Sequence, residues 1–238
     1  MQQRIVTLSL FGFSGSADRW WAFGMMGKST GLFRDVPGMS FFKMLGSGGG
    51  SGFAIYPNLG VYACVAVWES EAAAAKAMAQ HPDWQDLYQH ASRQWTLFLH
   101  TLQAHGKWDG ANPFPVNGES GYDGQLIGVL TRATIRPSRL LRFWRSVPNS
   151  SQMILSQPGH LFSIGVGELP LIQQATFSLW TDLASIKRYA YQEGAHKKVV
   201  EQTRRYDWYS EELFARFMPY RVAGHWDDRL DDLLAGLR

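Results

Sequence analysis

Two stretches of the chain, Tyr62–Ala79 "YACVAVWESEAAAAKAMA" and Gln174–Tyr191 "QATFSLWTDLASIKRYAY", are built the same way. Each opens with a short run rich in β-branched and aromatic residues, the signature of a strand, and closes that run on a tryptophan, Trp68 or Trp180. An acidic start follows, placing carboxylates in the first turn of a helix, where the helix dipole favours them. Further along, Trp95–Gly110 "WTLFLHTLQAHGKWDG" and Leu213–Asp228 "LFARFMPYRVAGHWDD" correspond again. In this reading Trp68 matches Trp180, Trp95 matches Trp208, and Trp108-Asp109 matches Trp226-Asp227. The spacings drift by a few residues, as in a diverged internal duplication rather than a repeat array.

The rest of the chain fills in the pattern. Strands are predicted at Val6–Phe13, Ser40–Leu45, Val61–Trp68, Leu126–Ile135, Leu161–Val166 and Ala175–Trp180. Helices are predicted at Ala17–Phe33, Glu69–Ala79, Trp84–Leu102, Pro137–Ser146, Asp182–Tyr191 and Ala195–Phe217. The Pro/Gly/Asn-rich stretch "NPFPVNGESGYDG", Asn112–Gly124, is the best boundary. The expected organisation is α+β: a first ferredoxin-like unit over residues 1–111, a linker over 112–124, and a second unit over 125–238. Two such units can set their sheets face to face, making one barrel-like core with helices outside.

Composition bounds the function. The 238 residues are 45% hydrophobic and 18% charged, enough to bury a sizeable core. Aromatics reach 14%, with ten tryptophans, which suggests a wide apolar cavity or an interface. A net charge of +3, with no basic block interleaved with aromatics, argues against a nucleic-acid partner. Cys64 is the only cysteine, so no internal disulfide forms, as expected in a reducing cytoplasm. The first residues lack the pattern of a signal peptide, and no apolar run is long enough to span a bilayer. A membrane-borne substrate would have to be reached by peripheral contact.

Several motifs invite chemistry. The glycine run Gly46–Gly52 "GSGGGSG" has neither the Lys-Ser/Thr nor the helix start that a phosphate loop needs, and reads as a hairpin connection. Cys64 could ligate haem iron as a thiolate, but reads better as a small buried hydrophobe. The histidines form no HExxH motif and no Cys/His cluster, and no G-x-S-x-G elbow is present. Asp227, Asp228, Asp231 and Asp232 read as a solvated acidic face. His196, in "YQEGAHKKVVEQ" (Tyr191–Gln202), differs from the other histidines by position. On a helix from Ala195 it shares one face with Val199, Val200 and Thr203, while Lys197, Lys198, Glu201, Gln202, Arg204 and Arg205 take the others. A first-turn site disfavours the imidazolium. A neutral, buried imidazole suits a metal or haem ligand, and equally a core histidine satisfied by a backbone carbonyl. The corresponding place in the first half is near Trp84.

Taken in order, "VTLSLFGFSG", "RWWAFGMM", "FFKMLGSGGGSGF", "YPNLGVYACVAVW", "WTLFLHTLQAHGKWDG", "VGELPLIQQATFSLW", "YQEGAHKKVV" and "YSEELFARFMPY" resemble the spheroidene monooxygenase family of carotenoid biosynthesis. The resemblance spans nearly the whole chain. It implies a dimeric α/β barrel fold, here with both units in one chain. It also implies haem b with His196 as axial ligand to the iron, and O2-dependent introduction of a keto group into an acyclic carotenoid such as spheroidene. Two hydroxylations at one carbon followed by loss of water would give the ketone. Electrons would come from an external donor such as a ferredoxin, since no flavin or nicotinamide fingerprint is visible. A long apolar substrate calls for an aromatic-lined channel, for which Phe11, Phe13, Trp20, Trp21, Phe23, Met25 and Met26 are candidates, alongside their reading as ordinary core. The competing expectations are a haem barrel enzyme acting on another apolar substrate, by other oxygenation or aldoxime dehydration, and a non-enzymatic haem or lipid binder. Either a monomer or a dimer through an outer surface fits the sequence.

Overall fold

The computed structural model describes residues 3–49, 56–116, 126–189 and 207–238, with 146–153 as backbone alone. Eight antiparallel strands close into a barrel with helices outside. The first half contains β1 (Ile5–Gly12), α1 (Ser16–Leu32), β2 (Met39–Gly48), β3 (Pro57–Trp68), α2 (Glu71–Gln80), α3 (Pro82–His90) and β4 (Arg93–Gly106). The second contains β5 (Ile127–Ile135), α4 (Leu140–Leu155), β6 (His160–Gly167), β7 (Gln173–Trp180), α5 (Leu183–Lys187), β8 (Tyr209–His225) and α6 (Asp228–Leu233).

Around the barrel the strands run β1-β3-β2-β6-β7-β5-β8-β4. Each half is therefore ordered fourth, first, third, second. The halves meet along two unequal seams. β4 and β8 pair from Gln94–His225 to Gly106–Leu213, whereas β2 and β6 pair only at Gly46–Gly167 and Ser47–Val166. The glycine run thus supplies part of β2 and one side of the short seam; residues 50–55 lie outside the described ones.

Local chemistry sets the element ends. Ser70 caps α2 by accepting from the Ala73 N–H at 3.1 Å. Asp182 caps α5 by accepting from the Ser185 N–H at 2.8 Å, and Asp227 caps α6 by accepting from the Leu230 N–H at 2.9 Å. Along β1, Val6, Leu8 and Leu10 point into the barrel and Phe11 points out under the helices, with both faces buried. The interior is filled by Leu8, Trp95, Leu97, Leu130, Phe177, Phe217 and their neighbours, so it is a packed core.

Four sequence expectations change. The helix expected over Trp84–Leu102 ends at His90, and β4 begins at Arg93. The helix expected over Ala195–Phe217 falls partly outside the described residues, and its remainder belongs to β8, which runs from Tyr209 to His225. The reason lies in burial: Trp95 to Leu99 is buried on both faces of β4, so the apolar run carries no alternation to mark it as a strand. Trp95 corresponds to Leu213 rather than Trp208. Trp95 lies opposite Leu10, and Leu213 opposite Arg132, at matching places in the two halves, while Trp208 precedes β8. Finally, the C-terminal aspartates are not simply solvated: Asp227 caps α6, and Asp231 pairs with His225 and, at 2.8 Å, with Arg238.

Candidate functional site

Strand register allows the halves to be compared residue by residue. Ile5 lies opposite Trp68, and Ile127 opposite Trp180. From that anchor Ser9 matches Thr131, Phe11 matches Ala133, Tyr62 matches Gln174, and Cys64 matches Thr176. On the neighbouring strands Phe42 matches Ser163, Met44 matches Gly165, and Phe98 matches Arg216. All these positions face outward, toward the helical layer. In the first half Phe11, Phe42, Met44, Tyr62 and Phe98 are large, and with Cys64 they pack with α1, α2 and α3 into one dense cluster that includes Phe33, Trp68 and Trp84. In the second half they are small or polar.

The consequence is visible in burial. Ser9 is 1% exposed and hydrogen-bonds Thr96 at 2.8 Å. Its counterpart Thr131 is exposed, although it sits mid-strand on β5 between β7 and β8. Around it Ala133, Ser163, Gln174, Thr176 and Arg216 are half-buried. Two polar atoms on this floor are buried with no hydrogen-bond partner among the described residues: Ser163 Oγ and Arg216 Nε. Arg216 is otherwise held in place. Its Nη1 donates to Gln103 Oε1 at 3.3 Å, and its guanidinium lies 5.2 Å from the Phe214 ring, which stacks on His105. Ser163 Oγ and Arg216 Nε are each free to complete the hydrogen bonds of a bound group. One edge of the floor is apolar, closed by Ile127, Val129, Ile154, Trp180 and Ile186. The floor is thus a broad surface with an apolar wall and polar groups aimed into it, the composition of a small-molecule site.

A second constellation lies at one mouth of the barrel. Arg132, 3% exposed, stands where the first half has Leu10. It pairs with Glu211 and, at 3.4 Å, with Glu168; Lys43 pairs with Asp109 and, at 2.6 Å, with Glu168. Trp108 Nε1 donates to Glu168 at 2.7 Å. Burial would raise the Glu211 pKa, but the Gly110 and Asp109 N–H groups and Arg132 outweigh it and hold the carboxyl below its ordinary value of 4.5. Burial works against the Lys43 charge, yet Asp109 and Glu168 raise its pKa. The sign follows for each. A depressed carboxyl stabilises the fold above its unfolded pKa, and that contribution is lost as pH falls through the folded value. A raised amine contributes below its unfolded value of 10.5, and that contribution is lost as pH rises through the folded one. Urea unfolding midpoints are therefore expected to fall as the pH drops below 4.5. Glu211→Gln should flatten that fall, and an unchanged acid limb in this variant would remove Glu211 as its source.

The residues singled out by sequence fall in different places. His196 lies outside the described residues. Phe11 and Phe13 are core, packed outside the barrel under the first half's helices. Trp21 stacks on His90 with centroids 3.9 Å apart. Trp20 and Phe23 are exposed, 66% and 52%, and meet edge to face on the outer side of α1. Trp20 also lines a cleft of about 580 Å³ with Ser16, Arg19, Tyr56, Asn58 and Leu59. The structure thus does not gather these five around one cavity. Cys64 is buried in the first half's outer cluster, and burial pushes its thiol pKa far up, so it stays protonated. Burial likewise lowers the pKa of His100 and His160. Among the described residues no group of His, Cys, Asp and Glu is placed to hold a metal ion. The floor residues Thr131, Ser163, Gln174, Thr176 and Arg216 escaped the sequence reading. Their signal was present: "LSLFGF" set against "LTRATI" already shows Phe11 replaced by Ala133.

No family model matches the chain. Its relatives are more informative. It is 37% identical over 223 residues to spheroidene monooxygenase of Rhodobacter capsulatus, covering 93% of this chain and 92% of that one. It is 38% identical over 226 residues to spheroidene monooxygenase of Cereibacter sphaeroides, covering 94% and 69%. The protein of that name from Rubrivivax gelatinosus is 33% identical over 218 residues, covering 90% and 81%. Two solved structures of aldoxime dehydratase, one in complex with butyraldoxime, share the fold at TM-scores of 0.56 and 0.59. Each alignment covers 91% of this chain, with 82% and 80% of the respective structures, at 12% and 10% identity, a likeness that speaks to fold alone. With three relatives at this identity aligned over nearly its whole length, the chain belongs to the spheroidene monooxygenase family.

Proposed function

We propose that the protein is a haem-dependent carotenoid monooxygenase that introduces a keto group into an acyclic carotenoid such as spheroidene, using O2 and an external electron donor such as a ferredoxin. In this reading the barrel is two fused ferredoxin-like units, 1–111 and 125–238, joined through 112–124. The second unit carries the cofactor on its outer sheet face. The observation that carries the proposal is the register comparison: where the first half has Phe11, Phe42, Met44 and Phe98, the second has Ala133, Ser163, Gly165 and Arg216. A flat macrocycle suits a floor that has lost the bulk of Phe11, Phe42 and Met44 and is flanked by Phe214 and Arg216.

His196 would hold the iron of haem b, and the haem supplies the oxygen-activating chemistry. The chain's own residues do the rest. Arg216 keeps a fixed positive charge at the floor, where it can pair a carboxylate of the macrocycle or offset negative charge developing on oxygen. Ser163 offers a hydroxyl in the same row, with Ser178 and Val129 between it and Arg216. The buried cluster of Ile127, Val129, Ile154, Trp180 and Ile186 closes one edge of the floor to water, and such exclusion protects the reacting carbon. Cys64 has no part in it. Any oxygen inserted twice at one methylene, with loss of water, leaves the ketone.

The test is direct. Purified protein is expected to show a Soret band and to convert spheroidene to a keto product with O2 and a reductant. His196→Ala is expected to lose that band and the turnover together. Turnover by protein free of haem would overturn the cofactor assignment, and an unchanged axial-ligand spectrum in His196→Ala would overturn the ligand.

A further inference from the structure

The segment from Arg136 to Arg205 carries ten Lys and Arg against four Asp and Glu, an excess of six in a chain whose net charge is +3. At the start of α4 this charge surrounds exposed aliphatic side chains. Arg139, Arg142 and Arg145 are exposed, and between them Leu141 is 78% exposed. Arg139 and Arg145 have no carboxylate partner among the described residues. The aromatic residues of the same turn are half-buried. Phe143 meets Trp208 edge to face with centroids 5.9 Å apart, and Trp144 Nε1 donates to the Leu171 carbonyl at 3.0 Å. That bond holds the turn between β6 and β7 beside the start of α4, and the turn adds Leu169 and Leu171, both exposed. The turn then runs into β7, whose Gln174 belongs to the floor of the candidate site.

We infer that this patch docks the protein on an anionic phospholipid bilayer, with the leucines entering the interface and the arginines meeting the headgroups. The arrangement is that of an interfacial helix, apolar residues within a basic surround. An acidic protein partner suits it less well. Protein interfaces concentrate their binding energy in Trp, Tyr and Arg with Leu under-represented, and here the most exposed apolar side chain is Leu141 while Phe143 and Trp144 are half-buried. The position also serves the site: a polyene leaving the bilayer at Leu171 meets the floor without crossing water. This last step rests on the functional reading above; the docking itself does not.

The experiment is flotation of the full chain with vesicles of phosphatidylcholine alone and of phosphatidylcholine with phosphatidylglycerol. The wild type is expected to float with the anionic vesicles and to be released by salt. Arg139→Gln with Arg145→Gln is expected to weaken partitioning about thirtyfold, roughly fivefold per charge. Leu141→Ser with Leu171→Ser is expected to weaken it about tenfold or more. These are surface positions, and melting temperatures matching the wild type establish that the variants are folded. Both variants are expected to oxidise detergent-dispersed spheroidene normally and vesicle-embedded spheroidene slowly. Equal flotation with both vesicle types, none with either, or variants floating like the wild type would overturn the proposal. So would variants that float normally but lose cross-linking to an added acidic ferredoxin. Failure of the catalytic reading looks different: no product even from detergent-dispersed carotenoid, with flotation intact.

Discussion

Ala133→Phe combined with Ser163→Phe is expected to abolish haem retention and lower spheroidene turnover about a hundredfold or more, while the protein stays folded. These substitutions give the second half the residues that the first half carries at the same register, Phe11 and Phe42. In a filled core, each added ring would force strain costing about 1–3 kcal/mol. On the floor around the exposed Thr131 the rings have somewhere to go, so unfolding free energy should stay within about 1 kcal/mol of the wild type. Urea unfolding and the haem-to-protein absorbance ratio read the two effects separately. A large loss of stability would mean that the floor is already filled. Normal haem content in a stable variant would mean that the site lies elsewhere.

Arg132→Leu is expected to destabilise the fold by about 3 kcal/mol. The substitution restores the residue type found at the matching place in the first half, Leu10, so side-chain fit is not the issue. The cost comes from Glu211 and Glu168, which lose the guanidinium that faces them at the barrel mouth; Glu168 keeps Lys43 and the Trp108 indole N–H, and Glu211 keeps only the Asp109 and Gly110 N–H groups. Adding Glu211→Gln and Glu168→Gln is expected to return part of the loss, because a buried charge set is replaced far more cheaply whole than broken. Equilibrium urea unfolding checks both. Wild-type stability in Arg132→Leu alone would show that the guanidinium does not stabilise the fold.

The two halves explain why some of this was legible in the chain and some was not. Strands ending at Trp68 and Trp180 announce themselves because β-branched and aromatic residues cluster over a few positions and stop at a capping Ser70 or Asp182. The capping signals are local, requiring only a side-chain oxygen and an N–H three residues on, and the sequence holds both. β4 and β8 could not be read the same way. Along β4, Trp95 to Leu99 is buried on both faces; along β8 burial alternates, but Phe214, Met218 and Tyr220 put apolar residues on the outer face as well, so in both the sequence lacks the alternation that separates strand from helix. Taking β8 for a helix removed the register, and with it the match of Trp95 to Leu213 and of Phe98 to Arg216.

By itself, then, the sequence determined the class of fold, the existence of two corresponding halves with Trp68 matching Trp180, and, through the order of its motifs, the family. Those are properties of local propensity and of residue order along the chain. It left open which of the aromatics near the N-terminus are core, and the structure buries Phe11 and Phe13 while leaving Trp20 and Phe23 in the open. Only the closed barrel decided where a site can form. A strand face becomes a floor when positions on β5 and β6, distant in sequence, lose their bulk at neighbouring registers while Gln174 on β7 and Arg216 on β8 turn polar, and adjacency across strands is set by tertiary pairing, not by chain order.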